Sequence, residues 1–470
     1  MNDLWNLNIV EALSGLNGYK FSSEDLVRSI FSRIDAVEPK VSSFISLFCE
    51  DALSKACNAD TERVKGSAKK LLGIPYSAKD MFNTKGYKTT AGSKVLENYI
   101  APYESTATQR LNDEGAILIG KTNQDAFAHG SSTENSDFFV TKNPWDVTRL
   151  PGGSSGGSAA SVIADEAVFS IGTETGGSIR HPASWCGCVG LKPSYGRVSR
   201  YGVISMCSST DSPGPLTKTV QDAGHILNVI AGNDYKDATS SDDPIEDYAA
   251  IQLEFLKGKV IGVPKAFLNY QMEEGVKIAF KKALLDMEKL GAKIKEIDLM
   301  DPKYAVAVYT IVQRAEVSSN LARYDGVRYG NTRETFGNEA QRRILLGTYV
   351  LSTGYYDKYY QKAQKVRSLI HQDFDEAFKL VDMIVSPTSP SVALKIGAGA
   401  DQAMFGEIMD AFSLPASLAG LCAISVPCGF SENLPVGIQF IGDRFEEKEI
   451  IDAAYSYEQL NKWYLKKPVI

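Results

Sequence analysis

Residues 150–182 read LPGGSSGGSAASVIADEAVFSIGTETGGSIRHP. Two serines stand among glycines here, Ser154 in GGSSGG (152–157) and Ser178 in GGS (176–178). Glycine has no Cβ, takes positive φ and lets a backbone or substrate approach closely, so each serine is placed on a tight turn with an accessible hydroxyl. Between the turns, 159–164 (AASVIA) reads as a packed helix and 167–171 (AVFSI) as a buried strand. A Gly/Ser linker would carry no such apolar blocks. The unit is therefore turn, helix, strand, turn.

The same alternation continues outward. Residues 259–263 and 293–297 read as strands on either side of an amphipathic helix, 276–290, that stops at Gly291. Further strands are expected at 383–385, 424–426 and 436–441, and a last helix at 446–464. Nearer the N-terminus, Ser22 to Asp25 supply caps for a helix carrying Leu26, Ile30, Ile34 and Val37, residues 49–64 give a second helix, and 104–113 a third. This rhythm predicts an α/β fold with a central mixed, mostly parallel sheet covered by helices on both faces. The sheet-building runs are spread evenly over 470 residues, which predicts one large domain, 1–470, with a helical segment, 1–65, packed on it.

Composition narrows the function. A net charge of −7 argues against a chain that grips nucleic acid through its overall charge. Seven scattered cysteines, an odd number, read as reduced thiols of a cytoplasmic-type compartment rather than a disulfide framework, and Cys186-Gly187-Cys188 lacks the spacing of a zinc pair. The first residues show no signal peptide, and no run of 18 apolar residues is present. The acidic stretch 234–247 reads as a solvated loop. No metal site is expected.

Two nucleotide-type or hydrolase-type motifs match by letter. Residues 115–122, GAILIGKT, fit G-x-x-x-x-G-K-[ST], but the four middle positions are an apolar β run, so their amides would be committed to a sheet ladder instead of a phosphate. Residues 152–156 fit G-x-S-x-G, which requires a later acid and then a histidine. Only His181, His225 and His371 follow, none in the expected kind of C-terminal loop. A buried lysine held neutral is another base for serine. Residues 72–80, LGIPYSAKD, bring Lys79 to the end of a strand-like run, where the alternative is a surface lysine paired with a carboxylate such as Asp80.

Lys79, GGSSGGS and GTETGGSIRHPA stand in the order found in the amidase signature family, and Ser178 follows Ser154 by 24 positions. The chain closely resembles that family of Ser-Ser-Lys amidohydrolases. The resemblance implies that Ser178 is the nucleophile, Ser154 the bridging serine and Lys79 the general base. It also implies an oxyanion hole of the N–H groups of Thr175, Gly176, Gly177 and Ser178. The family usually has aspartate where this chain has Glu174. Residues 122–135 resemble the family's substrate-pocket segment, in which methionine is common at the position of His129; taken alone, that histidine reads as a structural hydrogen-bonding residue.

Tyr309, Arg343 (or Arg342, one register away) and Asp410 sit in segments similar to the glutamine-specific branch of the family, the A subunits of glutamyl-tRNA(Gln)/aspartyl-tRNA(Asn) amidotransferases. That resemblance implies that Arg343 holds the α-carboxylate of glutamine and Asp410 its α-ammonium, with Tyr309 lining the pocket. Taken alone, the arginines read as a helix face and Asp410 as a cap. The branch further implies a glutaminase that releases ammonia to a B subunit using ATP and Mg²⁺ on Glu-tRNA(Gln), with Asp-tRNA(Asn) as the second candidate acceptor and a small C subunit. No cofactor is expected in this chain and no membrane contact; the compartment implied is the cytoplasm, or the mitochondrial matrix or plastid of a eukaryote. A stand-alone amidase acting on other amides and a non-catalytic scaffold are the competing expectations.

Overall fold

The computed structural model describes residues 3–328, 330–399, 402 and 404–470; Met1 and Asn2 of the N-terminal segment lie outside the described residues. Eleven strands form one sheet: β1 (Phe44–Leu47), β2 (Pro75–Lys79), β3 (Ile117–Thr122), β4 (Phe169–Glu174), β5 (Val189–Lys192), β6 (Ser212–Thr217), β7 (Val260–Pro264), β8 (Lys293–Ile297), β9 (Met383–Pro387), β10 (Cys422–Ser431) and β11 (Leu434–Gly442). Their order is β1-β3-β2-β4-β6-β5-β10-β11-β9-β7-β8.

The sheet is mixed, as expected, but its balance differs from the expectation. Pairings β2·β3, β2·β4, β7·β8 and β7·β9 are parallel. The other six are antiparallel. Helical crossovers build the two parallel groups, β3-β2-β4 and β9-β7-β8, whereas the strands between them are closed by returns such as the tight β10–β11 hairpin, which forces antiparallel pairing, and β1 joins β3 antiparallel at the edge.

Successive side chains on a strand point to opposite faces, and here both faces are covered. On β9, Met383 and Val385 enter a core with Ile30, Ile226, Phe280 and Ile450, while Ile384 between them enters a second core with Val312, Ile370 and Phe374. Cys422, Ala423 and Ile424 on β10 divide in the same way. These partners come from helices, so the layers are helix, sheet, helix. The helix Ser23–Val41 starts as predicted, with Ser22 and Asp25 exchanging side-chain to backbone hydrogen bonds of 3.0 and 2.9 Å.

Two local expectations change. The last helix is Glu447–Asn461, ended by Lys462 in the left-handed region at φ 47°. In the acidic stretch, Asp234 and Asp237 are buried: Asp234 accepts from Ser199 Oγ (2.6 Å) and Thr106 Oγ1 (2.5 Å), and Asp237 from the Arg200 N–H (2.8 Å). Hydroxyl and amide donors from neighbouring turns replace water there, which charge counting alone does not reveal.

The phosphate-loop look-alike is spent in β3. Lys121 is fully buried, its Nζ 3.0 Å from Asp80 Oδ1 and donating to the Phe82 carbonyl at 2.8 Å. Asp80 therefore pairs with Lys121 and not with Lys79. Removing one member of a buried pair leaves an uncompensated charge, so Lys121→Met is expected to cost about 3–5 kcal/mol. Denaturant unfolding would measure it, with Asp80→Asn/Lys121→Met recovering part of the loss.

Candidate active site

Strand β2, flanked by β3 and β4, carries Lys79 as its last residue, where it is 0% exposed. Its Nζ donates to Ser154 Oγ at 2.7 Å, to Thr173 Oγ1 at 3.0 Å and to the Thr173 carbonyl at 3.3 Å. Parallel neighbours explain the meeting: β4 lies beside β2, and Thr173 is its penultimate residue. Burial brings the Lys79 amine down to about 7, against the pull of the Asp125, Asp211 and Glu174 carboxylates. The amine is therefore substantially neutral near pH 7, and the 2.7 Å separation equally suits a Ser154 O–H donating to its lone pair.

The two serine turns are joined. The Ser155 N–H donates to the Ser178 carbonyl at 3.2 Å. Ser178, 3% exposed, ends the turn that leaves β4. Among the described residues no acceptor takes the N–H groups of Thr175, Gly176, Gly177 or Ser178. Free, clustered amides of this kind are what a developing oxyanion requires.

The turn is fastened from its ends. Glu174, where the family usually has aspartate, accepts from the N–H groups of Ile179 (3.0 Å) and Arg180 (2.9 Å), from Arg180 Nε (2.8 Å) and from Ser417 Oγ (3.1 Å). Thr175 Oγ1 donates to Asp211 Oδ1 at 2.6 Å. The longer carboxylate keeps its supporting role by bridging the turn to the next helix.

Beyond the turn lies the second half of the site. A Cβ on Gly177 would stand 2.3 Å from Asp410 Oδ1, and one on Gly176 would stand 3.1 Å from Tyr309 Cζ. Any side chain at these positions would displace Asp410 and Tyr309, so glycine is needed for the close approach. Asp410 is buried and does not cap with its side chain: Oδ2 accepts from Ser131 Oγ at 2.8 Å, while Oδ1 has no hydrogen-bond partner among the described residues. His181 Nδ1 comes to 3.5 Å from that oxygen without bonding it. Burial pushes the Asp410 carboxyl well up, with Ser131 opposing, and burial brings His181 down to about 3, so the imidazole is neutral.

Of the two arginine registers, the structure brings Arg343 inward. Arg342 is half-exposed and paired to Glu339 at 2.6 Å. Arg343 is buried, its Nε donating to Glu339 Oε1 at 2.6 Å and its Nη2 3.7 Å from Glu407 Oε1, which Arg314 Nη1 approaches to 2.6 Å. A cavity of about 450 Å³ is lined by Ser131, Ser132, Arg343 and Glu407. Amine, hydroxyls, free amides, an unpaired carboxylate oxygen and a buried guanidinium thus converge at one end of the sheet.

A sequence profile described as Amidase matches residues 25–451. The chain belongs to the amidase family. As an amidase it is 48% identical over 483 residues to the A subunit of the glutamyl-tRNA(Gln) amidotransferase of Caldanaerobacter subterraneus subsp. tengcongensis, covering 100% of this chain and 99% of that one. The crystal structure of the A subunit of the Thermotoga maritima glutamyl-tRNA(Gln) amidotransferase superposes with a TM-score of 0.84 at 41% identity, over 98% of this chain and 96% of that one. Peptide amidase from Stenotrophomonas maltophilia gives 0.82 at 30% identity, over 97% of each chain.

Several residues of this amidase's site go unrecognised in its sequence. Thr173 and His181 lie within GTETGGSIRHPA and Asp125 and Ser131 within 122–135, yet the sequence gives none of them, nor Asp211, a role, because each meets its partner from a separate segment. Asp125 is the clearest case. It accepts from the N–H groups of Ser132 (3.3 Å) and Asn135 (3.2 Å), holding the segment that carries Ser131, and it is the foremost charge acting on Lys79. Burial raises its own carboxyl to about 6. His129, expected to be a structural hydrogen-bonding residue, has no partner at either ring nitrogen.

Among the described residues no group of three His, Cys, Asp or Glu side chains has the arrangement to hold a metal ion, and no helix is long and apolar enough to cross a membrane.

Proposed function

We propose that the chain is a glutaminase subunit of a tRNA-dependent amidotransferase. The observation that carries this reading is a buried carboxylate, Asp410, that stands against the oxyanion turn at Gly177 with one oxygen unbonded among the described residues and takes its other bond from Ser131, which lines a cavity with the buried Arg343. A free amino acid bears an ammonium and a carboxylate, and such a site holds both while an uncharged amide satisfies neither. The similarity to A subunits over the whole chain supports the same choice.

The reaction follows from the residues. Lys79 takes the Ser154 proton as Ser154 takes that of Ser178, and Ser178 Oγ attacks the glutamine side-chain carbonyl carbon. The oxyanion is received by the N–H groups of Thr175 to Ser178. Collapse breaks the C–N bond, the proton returns through Ser154 to the leaving nitrogen, and ammonia departs. Water, activated by the same relay, cleaves the glutamyl ester and restores Ser178. Ammonia passes to a B subunit, which activates Glu-tRNA(Gln) with ATP and Mg²⁺, Asp-tRNA(Asn) being the second candidate acceptor; a C subunit completes the complex. This chain holds no cofactor in the scheme, and we place the complex in the cytoplasm or in a eukaryotic organelle matrix.

Arg343→Ala tests the substrate. KM for glutamine is expected to rise about 100-fold, the size of a lost charge-assisted bidentate contact. Hydrolysis of a simple aliphatic amide should be little changed. Unaltered glutamine turnover together with rapid hydrolysis of plain amides would instead identify a stand-alone amidase.

A further inference from the structure

His129 is buried to 1% exposure, and its main chain is fully engaged, with N–H to the Ala126 carbonyl at 2.9 Å and the carbonyl accepting from Asn135 Nδ2 at 3.1 Å. Among the described residues its ring makes no hydrogen bond at Nδ1 or Nε2. A buried imidazole without partners forfeits the hydration of both nitrogens, and such a group calls for an explanation in a bound molecule. The ring lies against Phe127, centroids 6.1 Å apart. Phe127 in turn packs with Phe336 and Ala340 beside the helix that carries Arg343.

The surroundings indicate what that molecule presents. The charges that act on the ring are the guanidiniums of Arg343 and Arg314. The next residues along the chain, Gly130 to Ser132, line the cavity shared with Arg343 and Glu407. Arg314 Nε and Gln313 Nε2 are likewise buried without a partner. Glu407 Oε1 is unbonded there as well but lies against Arg314 and Arg343; the donors left over, Arg314 Nε, Gln313 Nε2 and one His129 ring N–H, are what an anionic group engages. Burial, reinforced by the two arginines, keeps the imidazole neutral, so it offers one N–H donor and one acceptor.

We propose that His129 is a specificity-determining residue whose ring N–H donates to the α-carboxylate of the amide substrate alongside Arg343. This rests on the glutamine reading given above. It adds a third point of recognition for the carboxylate where one guanidinium, already held by Glu339 and Glu407, has only part of its fork to offer.

The test is binding to the full chain carrying Ser178→Ala, measured by calorimetry with glutamine and with 4-aminobutanamide, which keeps the ammonium and the amide and lacks the carboxylate. His129→Met is expected to weaken glutamine about tenfold or more, the effect of losing one hydrogen bond to a charged group, and to change 4-aminobutanamide less than twofold. His129→Asn, which restores an N–H, should recover most of the loss. Unchanged glutamine binding in His129→Met, or equal weakening of both compounds, would overturn the role of His129. If the Ser178→Ala chain bound neither compound, the glutamine reading would fail first and this inference with it.

Discussion

Ser178→Ala is expected to lower glutamine hydrolysis by about 10⁴-fold or more with little change in glutamine affinity. The hydroxyl forms the covalent bond, whereas the substrate's charges are met by Asp410 and Arg343 on the far side of the turn, so chemistry and binding separate cleanly. Ser154→Ala should fall in the same range, because the relay works as one unit, and the double replacement should be no worse than Ser178→Ala alone. Ammonia release at saturating glutamine measures each. A Ser178→Ala chain within tenfold of wild type would remove Ser178 as the nucleophile, and a wild-type chain without glutamine hydrolysis would return the scaffold reading, in which the serines only shape turns.

Lys79→Met is expected to cost about 10³-fold or more, since it removes the only base that contacts Ser154 among the described residues. The pH dependence gives the sign. Below about 7 the amine holds its proton and has no lone pair, so wild-type kcat should fall about tenfold per pH unit on the acid side and level off above it. Stability should move in the same direction but at higher pH. The folded state must carry a buried ammonium below about 7, and that penalty fades as pH rises toward the ordinary lysine range, where the unfolded chain also loses its proton. Lys79→Met should therefore unfold no earlier than wild type at pH 6, although it is inactive. A lysine kept for structure would show the reverse, destabilised on removal with activity largely retained.

The parts of this site that can be read from sequence are those made by neighbouring residues. GGSSGG and TGGS announce turns because glycine leaves few alternatives, and the strand that ends at Lys79 is apolar for most of its length. Tyr309, Arg343 and Asp410 are reached by resemblance; nothing in their spacing joins them, and the fold sets Tyr309 against Gly176 and Asp410 against Gly177, with Ser131 linking Asp410 to the cavity that Arg343 lines. Thr173, Asp125 and Ser131 stay hidden because a hydroxyl or carboxylate in a loop looks the same whether it faces water or a buried amine. The sheet's antiparallel middle escapes for a related reason: a strand-helix rhythm counts elements, while pairing direction depends on which strand each connection returns to. Lys462 ends the last helix early through a backbone choice that apolar periodicity does not register.

The mechanism depends on the protonation of one nitrogen. Labelling the lysines with ¹³C at Cε and following Lys79 in the Ser178→Ala chain, with Lys79→Met to assign its signal, reads that directly. The expected midpoint lies near pH 7, about three units below an ordinary lysine. A Lys79 signal that stayed that of an ammonium up to about pH 9, two units above that midpoint, would leave the serines without a base and contradict the mechanism.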